Sequence, residues 1–308
     1  MQKEEFDNTL PPVRPLWLDL LTLTASVFMG IIVGSLVASF TIPLVFQIPV
    51  EQIPDVLMGS HSHPKTGGVL RYIQFWTSGL GFLGGGWFFL AKVVRSIHQI
   101  GLDVKSLPKP LWLSLALGSM VMLLPATEWL QWLNNQIVFP DALSAVEANL
   151  RFLQKTNLDQ IKLMIEPNNP NLWPYTLVTI AILPAIGEEL VFRGALQNLM
   201  IRKFGVKPGI ILTALTFTLI HRQFYNILPM LALSLLLGYV YYLTGSLLTT
   251  IAMHLINNAL SLFLVYYFGW TDEITTPEFS LPISLLTAAL GIYMLFLLQK
   301  LIDSEHIK

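Results

Sequence analysis

The chain has 308 residues, of which 54% are apolar and 12% charged, with eight Trp, a net charge of −1 and a mean hydropathy of +0.61. A soluble protein of this length needs more polar surface, so the composition specifies a polytopic membrane protein, and the near-neutral charge gives no footprint for nucleic acid. With no cysteine, disulfides, thiol catalysis and cysteine-ligated metal are excluded.

Residues 1–8 are polar and acidic, and the apolar run after Leu16 is too long for a signal peptide, so no cleavage is expected. Apolar runs of about 20 residues predict helices near 16–46, 68–91, 110–134, 172–200, 207–222, 226–243, 246–267 and 281–301. The expected fold is all-α, a membrane bundle of about eight transmembrane helices. Positive charge collects at Lys92, Arg95, Lys105 and Lys109 and again at Arg202, Lys203 and Lys207, whereas Asp272, Glu273 and Glu278 mark a link without Lys or Arg. Both basic loops, and with them both termini, are therefore expected in the cytoplasm. On that topology Glu188 lies about 18 Å from the cytoplasmic end of its helix.

The first half reads as scaffold. Gly30 with Gly34, and Gly81 with Gly85, form small-xxx-small pairs that let helices approach closely. Asp19 and Glu128 sit near span ends within reach of the interface. His61 and His63 form a loop pair without a third ligand, a poor basis for a metal site. Leu143, Val146, Leu150 and Leu153 recur at helical spacing among charged residues, predicting an amphipathic helix that lies on the bilayer, with cover of a site as the alternative. No repeat or linker divides the chain. It is organised as an N-terminal scaffold over 1–170, a core over 171–268, and a last helix and tail over 269–308.

The core holds Gly187-Glu188-Glu189-Leu190-Val191-Phe192-Arg193 inside a greasy segment. Each such charge costs roughly 2.5–3.5 kcal/mol at a helix centre, so the cluster marks a functional site. Glu189 and Arg193 are four apart and share a face, predicting a buried ion pair, while Glu188 points about 100° away, free to exchange protons. Pro184 predicts a kink one turn earlier. Downstream, His221 follows Phe217 by four residues and His254 precedes Asn258 by four. A carboxylate with an imidazole activates water, and a second imidazole with an amide holds an oxyanion, so the set points to hydrolysis. Ser246 and Ser261 have no argued base, which disfavours a seryl mechanism.

Glu188-Glu189-xxx-Arg193, Phe217-xxx-His221 and His254-xxx-Asn258, in this order, resemble the CAAX protease and bacteriocin-processing (CPBP, or Abi) family of intramembrane proteases, and Tyr242-Leu-Thr-Gly-Ser-Leu247 resembles the lead-in to its last motif. The resemblance covers roughly residues 175–265. It implies that Glu188, aided by His221, activates water against a peptide carbonyl, that His254 and Asn258 stabilise the oxyanion, and that Glu189, Arg193 and Phe217 support them. It further implies a membrane-associated peptide or protein substrate, the lipid bilayer as medium, and the bacterial inner membrane as location. No cofactor is favoured. Zinc on Glu188, His221 and His254 is the metal-dependent alternative, against which stand the lack of a His-Glu-x-x-His helix and of visible supporting partners. An immunity or binding protein without catalysis is a further alternative, and a proton-coupled transporter another, although the chain shows no inverted repeat.

Overall fold

The computed structural model describes residues 14–57, 64–94, 108–165, 170–268 and 277–306. His61 and His63, Arg95 and Lys105, and Asp272 and Glu273 lie outside the described residues. Among the described residues there is no strand, as expected of a chain that must satisfy its backbone within lipid. The helices are α1 (Leu16–Phe46), a short α2 (Ile53–Leu57), α3 (residues 66–94), α4 (Pro110–Asn135), α5 (Ser144–Ile165), α6 (Trp173–Phe204), α7 (Val206–Ile220), α8 (Ile227–Thr244), α9 (Leu247–Phe268) and α10 (Leu281–His306).

Every apolar run of the sequence is a helix, and among the described residues six of these helices are long and apolar enough to cross a membrane by length and composition: α1, α4, α6, α8, α9 and α10. α7 has 15 residues, about 22 Å of helix against a hydrocarbon core of about 30 Å. The glycine-rich α3, which carries Arg71 and Lys92, is also not among the six. The exposed apolar side chains, such as Phe28, Phe40 and Leu44 on α1 and Leu285 and Leu286 on α10, cover the outside with a lipid-compatible surface, as in an integral membrane protein.

α6 is the axis. In its most apolar window 56% of residues are buried, against 17–39% in the other five spans, and Leu190, Phe192, Ala195 and Leu199 form the centre of the largest core cluster with Leu23, Phe89, Phe217 and Leu247. The kink expected at Pro184 does not break the helix. A π-type stretch, Leu177–Ile182, precedes an α stretch, Leu183–Glu189, that carries Pro184 in its first turn. The wider turn absorbs the missing donor.

Glycine seams bring α1, α3 and α6 together. A Cβ on Gly30 would lie 2.0 Å from the Leu80 carbonyl oxygen, one on Gly85 2.6 Å from that of Ser26, and one on Gly187 2.8 Å from Phe82 Cβ. The small-residue faces thus pack within one chain, and the seam at Gly187 sets the depth of its neighbour, Glu188. Gly205 (φ +85°) and Gly245 (φ +61°) turn the chain between α6 and α7 and between α8 and α9, in a backbone region other residues rarely enter.

α5 does more than lie on the bilayer. Leu143, Val146 and Phe152 are exposed, but the helix is tied down at both ends. Glu147 accepts the Phe139 N–H (2.9 Å) and Arg151 Nε–H (2.8 Å), while the Arg151 guanidinium sits 4.3 Å from the Tyr225 ring centroid. At the other end Arg71, 2% exposed, donates to the Met164 carbonyl at 2.5 Å. Asp19 is likewise buried, held by Arg202 (2.7 Å) and Arg14 (3.4 Å), instead of reaching the interface.

Gly30→Val forces α1 off α3 and is expected to destabilise the protein by about 1–3 kcal/mol; Gly79→Ala, whose Cβ meets nothing within 4 Å, leaves the melting temperature in detergent at or above that of the wild type. The Phe139 N–H and then Arg151 hold the Glu147 carboxyl below its ordinary value of 4.5. Its contribution to stability is therefore complete above that value and fades as pH falls through the lower folded value. Thermal scans from pH 7 to pH 3 are expected to show an acid-sensitive component in the wild type that Glu147→Gln lacks.

Candidate active site

Glu189 and Arg193, one helical turn apart on α6, are both completely buried and bonded at 2.8 Å (Arg193 Nη1 to Glu189 Oε1). Arg193 Nη2 also donates to the Ser234 carbonyl (3.1 Å) and hydroxyl (3.0 Å) on α8, and the guanidinium lies 5.1 Å from the Phe217 ring centroid on α7. The same Glu189 oxygen accepts His254 Nδ1–H from α9 at 2.9 Å. One ion pair therefore ties α6, α7, α8 and α9 together.

Glu188 faces the other way, as its helical position requires. Its Oε2 stands 3.9 Å from His221 Nε2 and 3.8 Å from His254 Nε2, with side-chain exposures of 16% for the carboxylate, 25% for His221 and 8% for His254. These separations are too long for direct hydrogen bonds and span the room of one water molecule. Both tautomers are dictated by the second nitrogen. His221 Nδ1 is 2.7 Å from the Phe217 carbonyl, which only accepts, so this nitrogen carries the proton. His254 Nδ1 donates to the Glu189 carboxylate. In each neutral ring Nε2 is then a lone pair aimed at Glu188. His221 holds its place at the end of α7 because Arg222 takes φ +57°, a left-handed turn uncommon outside glycine that swings the chain away from the site.

These side chains line a cavity of about 540 Å³. Asn258 lines it too, four residues beyond His254, with its Oδ1 3.4 Å from Asn257 Nδ2. Phe217 packs edge to face on Phe192 and His254. The structure thus brings together Glu188, His221, His254, Asn258 and Phe217 around one cavity, with Glu189 and Arg193 directly behind it. Ser261 also lines the cavity but donates to its own helix at Asn257 O (2.9 Å), and Ser246 accepts the Thr249 N–H at the start of α9 (3.3 Å). Neither faces a base.

Several lining residues were not singled out from sequence. Ser234 and Asn257 belong to the core segment; Gln74 on α3, Met120 on α4, and Asn157, Gln160, Ile161 and Met164 on α5 come from the first 170 residues. For α5 the signal was present, since 157, 160, 161 and 164 fall on one helical stripe, and it covers the cavity.

Glu188 Oε2 with the two Nε2 atoms also has the chemistry of a divalent-metal donor set, and each imidazole has its other nitrogen committed to an acceptor, the support such ligands need. That removes one argument made from sequence against zinc. Against it, separations of 3.8 and 3.9 Å exceed the about 3.4 Å between ligands of a tetrahedral zinc with bonds near 2.1 Å, and among the described residues no group of three ligating side chains is arranged to hold a metal.

Residues 170–260 match the family model for type II CAAX prenyl endopeptidase Rce1-like proteins, in agreement with the resemblance carried by the motifs. The matched segment contains Glu188, Glu189, Arg193, Phe217, His221, His254 and Asn258 and excludes α5. No curated protein and no solved structure matches the chain. At family level the match supports an endopeptidase acting within the membrane.

Arg193→Met strands the Glu189 carboxylate in the core and is expected to cost about 3–5 kcal/mol, read by unfolding in detergent. Glu189→Gln together with Arg193→Met recovers part of that loss, because neither charge is then buried alone; a single variant as stable as the wild type would show that the pair does not hold the four helices.

Proposed function

We propose that this protein is an intramembrane endopeptidase that hydrolyses a peptide bond in a membrane-associated substrate, using water activated by Glu188 and His221 without a metal. The observation that carries this reading is the Glu188 carboxylate faced by the Nε2 atoms of His221 and His254 at 3.8–3.9 Å inside a cavity. A water hydrogen-bonded there gives one proton to Glu188 and orients the other toward His221 Nε2, while its oxygen attacks the scissile carbonyl carbon. The carbonyl oxygen becomes an oxyanion, accepting from the Asn258 amide. His254 donates to it only when Nε2 carries a proton, and its Nδ1–H contact with Glu189 fixes the orientation of the ring. On collapse the C–N bond breaks and Glu188 returns its proton to the departing amine, leaving a free amine and a carboxylic acid whose proton, the second one of the water, passes to His221 Nε2 to give the new carboxylate. Glu189 and Arg193 hold this geometry and take no proton.

The second reading is a metal-dependent version, favoured by the committed Nδ1 atoms of both imidazoles. Glu188, His221 and His254 would hold the ion, which would polarise the carbonyl as a Lewis acid. A non-catalytic binding or immunity protein is the remaining alternative. For orientation, Lys92, Lys109, Arg202, Lys203 and Lys207 gather at one end of the bundle, so we place that end, and both termini, in the cytoplasm, with the bacterial inner membrane as the location.

Glu188→Gln keeps volume and removes the base. In liposomes containing membrane-tethered peptides, with products read by mass spectrometry, it is expected to lower cleavage about 100- to 10,000-fold, while the wild type stays active after exhaustive chelation. Activity lost to chelation and restored by zinc would select the metal-dependent reading. No cleavage by a folded wild type would leave binding as the function.

A further inference from the structure

We infer that α5 is a substrate-binding element, in which Asn157 and Gln160 hydrogen-bond the backbone of an extended, uncharged, apolar peptide segment held opposite Glu188. This inference rests on the endopeptidase reading.

A peptide bond inside a helix does not present its carbonyl carbon to an attacking water, so the segment at Glu188 is unwound, and every N–H and C=O released by unwinding needs a partner in surroundings that hold little water. A side-chain amide offers both a donor and an acceptor, as the peptide group does. The cavity is lined by such amides from two helices: Asn157 and Gln160 on α5, Asn257 and Asn258 on α9. The side chains of Asn157 and Gln160 make no hydrogen bond to a described residue, and the α9 pair share a single long contact of 3.4 Å. These groups stand ready for a ligand with the polarity of a peptide backbone.

The rest of the wall sets the side-chain preference. Met120, Ile161, Met164 and Leu233 line it, and among the described lining residues Glu188 is the only acid and there is no Lys or Arg. The segment that fits therefore carries apolar side chains. α5 is also held rigidly enough to position a ligand, with Arg71 bonded to the Met164 carbonyl at one end and Arg151 over Tyr225 at the other. Met164 follows Gln160 by four residues, so the Arg71 anchor sits one turn from the amide it steadies.

The test uses the full chain in liposomes with membrane-tethered peptides. Asn157→Leu and Gln160→Leu keep approximate volume and remove the donors and acceptors; each is expected to raise KM about five- to tenfold with kcat within about twofold. Because the chain has no native cysteine, a second measurement is direct. In the Glu188→Gln background, cysteine in place of Gln160 is expected to form disulfides with cysteines placed within a few residues of the scissile bond. Cysteine in place of Phe152, which is exposed on the same helix, is expected to form none. Cleavage by the wild type with unchanged KM in both leucine variants and no cross-link from position 160 overturns the role of α5 and leaves the endopeptidase reading intact. No cleavage by a folded wild type overturns both.

Discussion

The Glu189–Arg193 ion pair is the constraint on which the rest of the structure depends. Two charges at zero exposure are tolerable only with further polar partners at hand, and those partners come from other helices: Ser234 from α8 and His254 from α9, with the Phe217 ring from α7 beside the guanidinium, while Glu189 Oε2 and Arg193 Nε are left without a hydrogen bond. Moving any of these helices would strand a charge. The pair therefore acts as a registration device for the bundle, and the imidazole of His254 is aimed because its other nitrogen is spoken for.

Glu188 profits from this rigidity without joining it. One residue along the helix, it is turned toward the cavity, and its height against α3 is set by the bare backbone of Gly187. Adjacent carboxylates thus have opposite surroundings: Glu189 is enclosed and paired with a fixed cation, whereas Glu188 keeps partial exposure and faces two imidazole nitrogens. On the proposed reading the 100° step of the α-helix is what separates a structural acid from a chemical one.

The division between scaffold and core is less sharp in space than along the chain. The matched family segment, residues 170–260, supplies the reactive groups, but one wall of their cavity is built by α5 with Gln74 and Met120. On the proposed reading, chemistry and substrate selection are thereby carried by different stretches of sequence. A change in α5 alters the lining of the cavity without touching Glu188, His221 or His254.

What the sequence determined by itself was local. Hydropathy located the eight apolar helices because lipid leaves the backbone no alternative to satisfying its own hydrogen bonds, and the four-residue spacing of Glu189 and Arg193 dictated their pairing because helix geometry fixes such neighbours. The motif order pointed to the chemistry. Tertiary structure alone decided what faces Glu188, that Asp19 pairs with Arg202 183 residues away, that the glycine faces meet within one chain, and that one face of α5 lines the cavity. Those outcomes depend on how helices pack across long sequence separations, where periodicity says which face is apolar but not which neighbour it meets. The span count fell between the two, since α7 reads as membrane-apolar in composition but has only 15 residues.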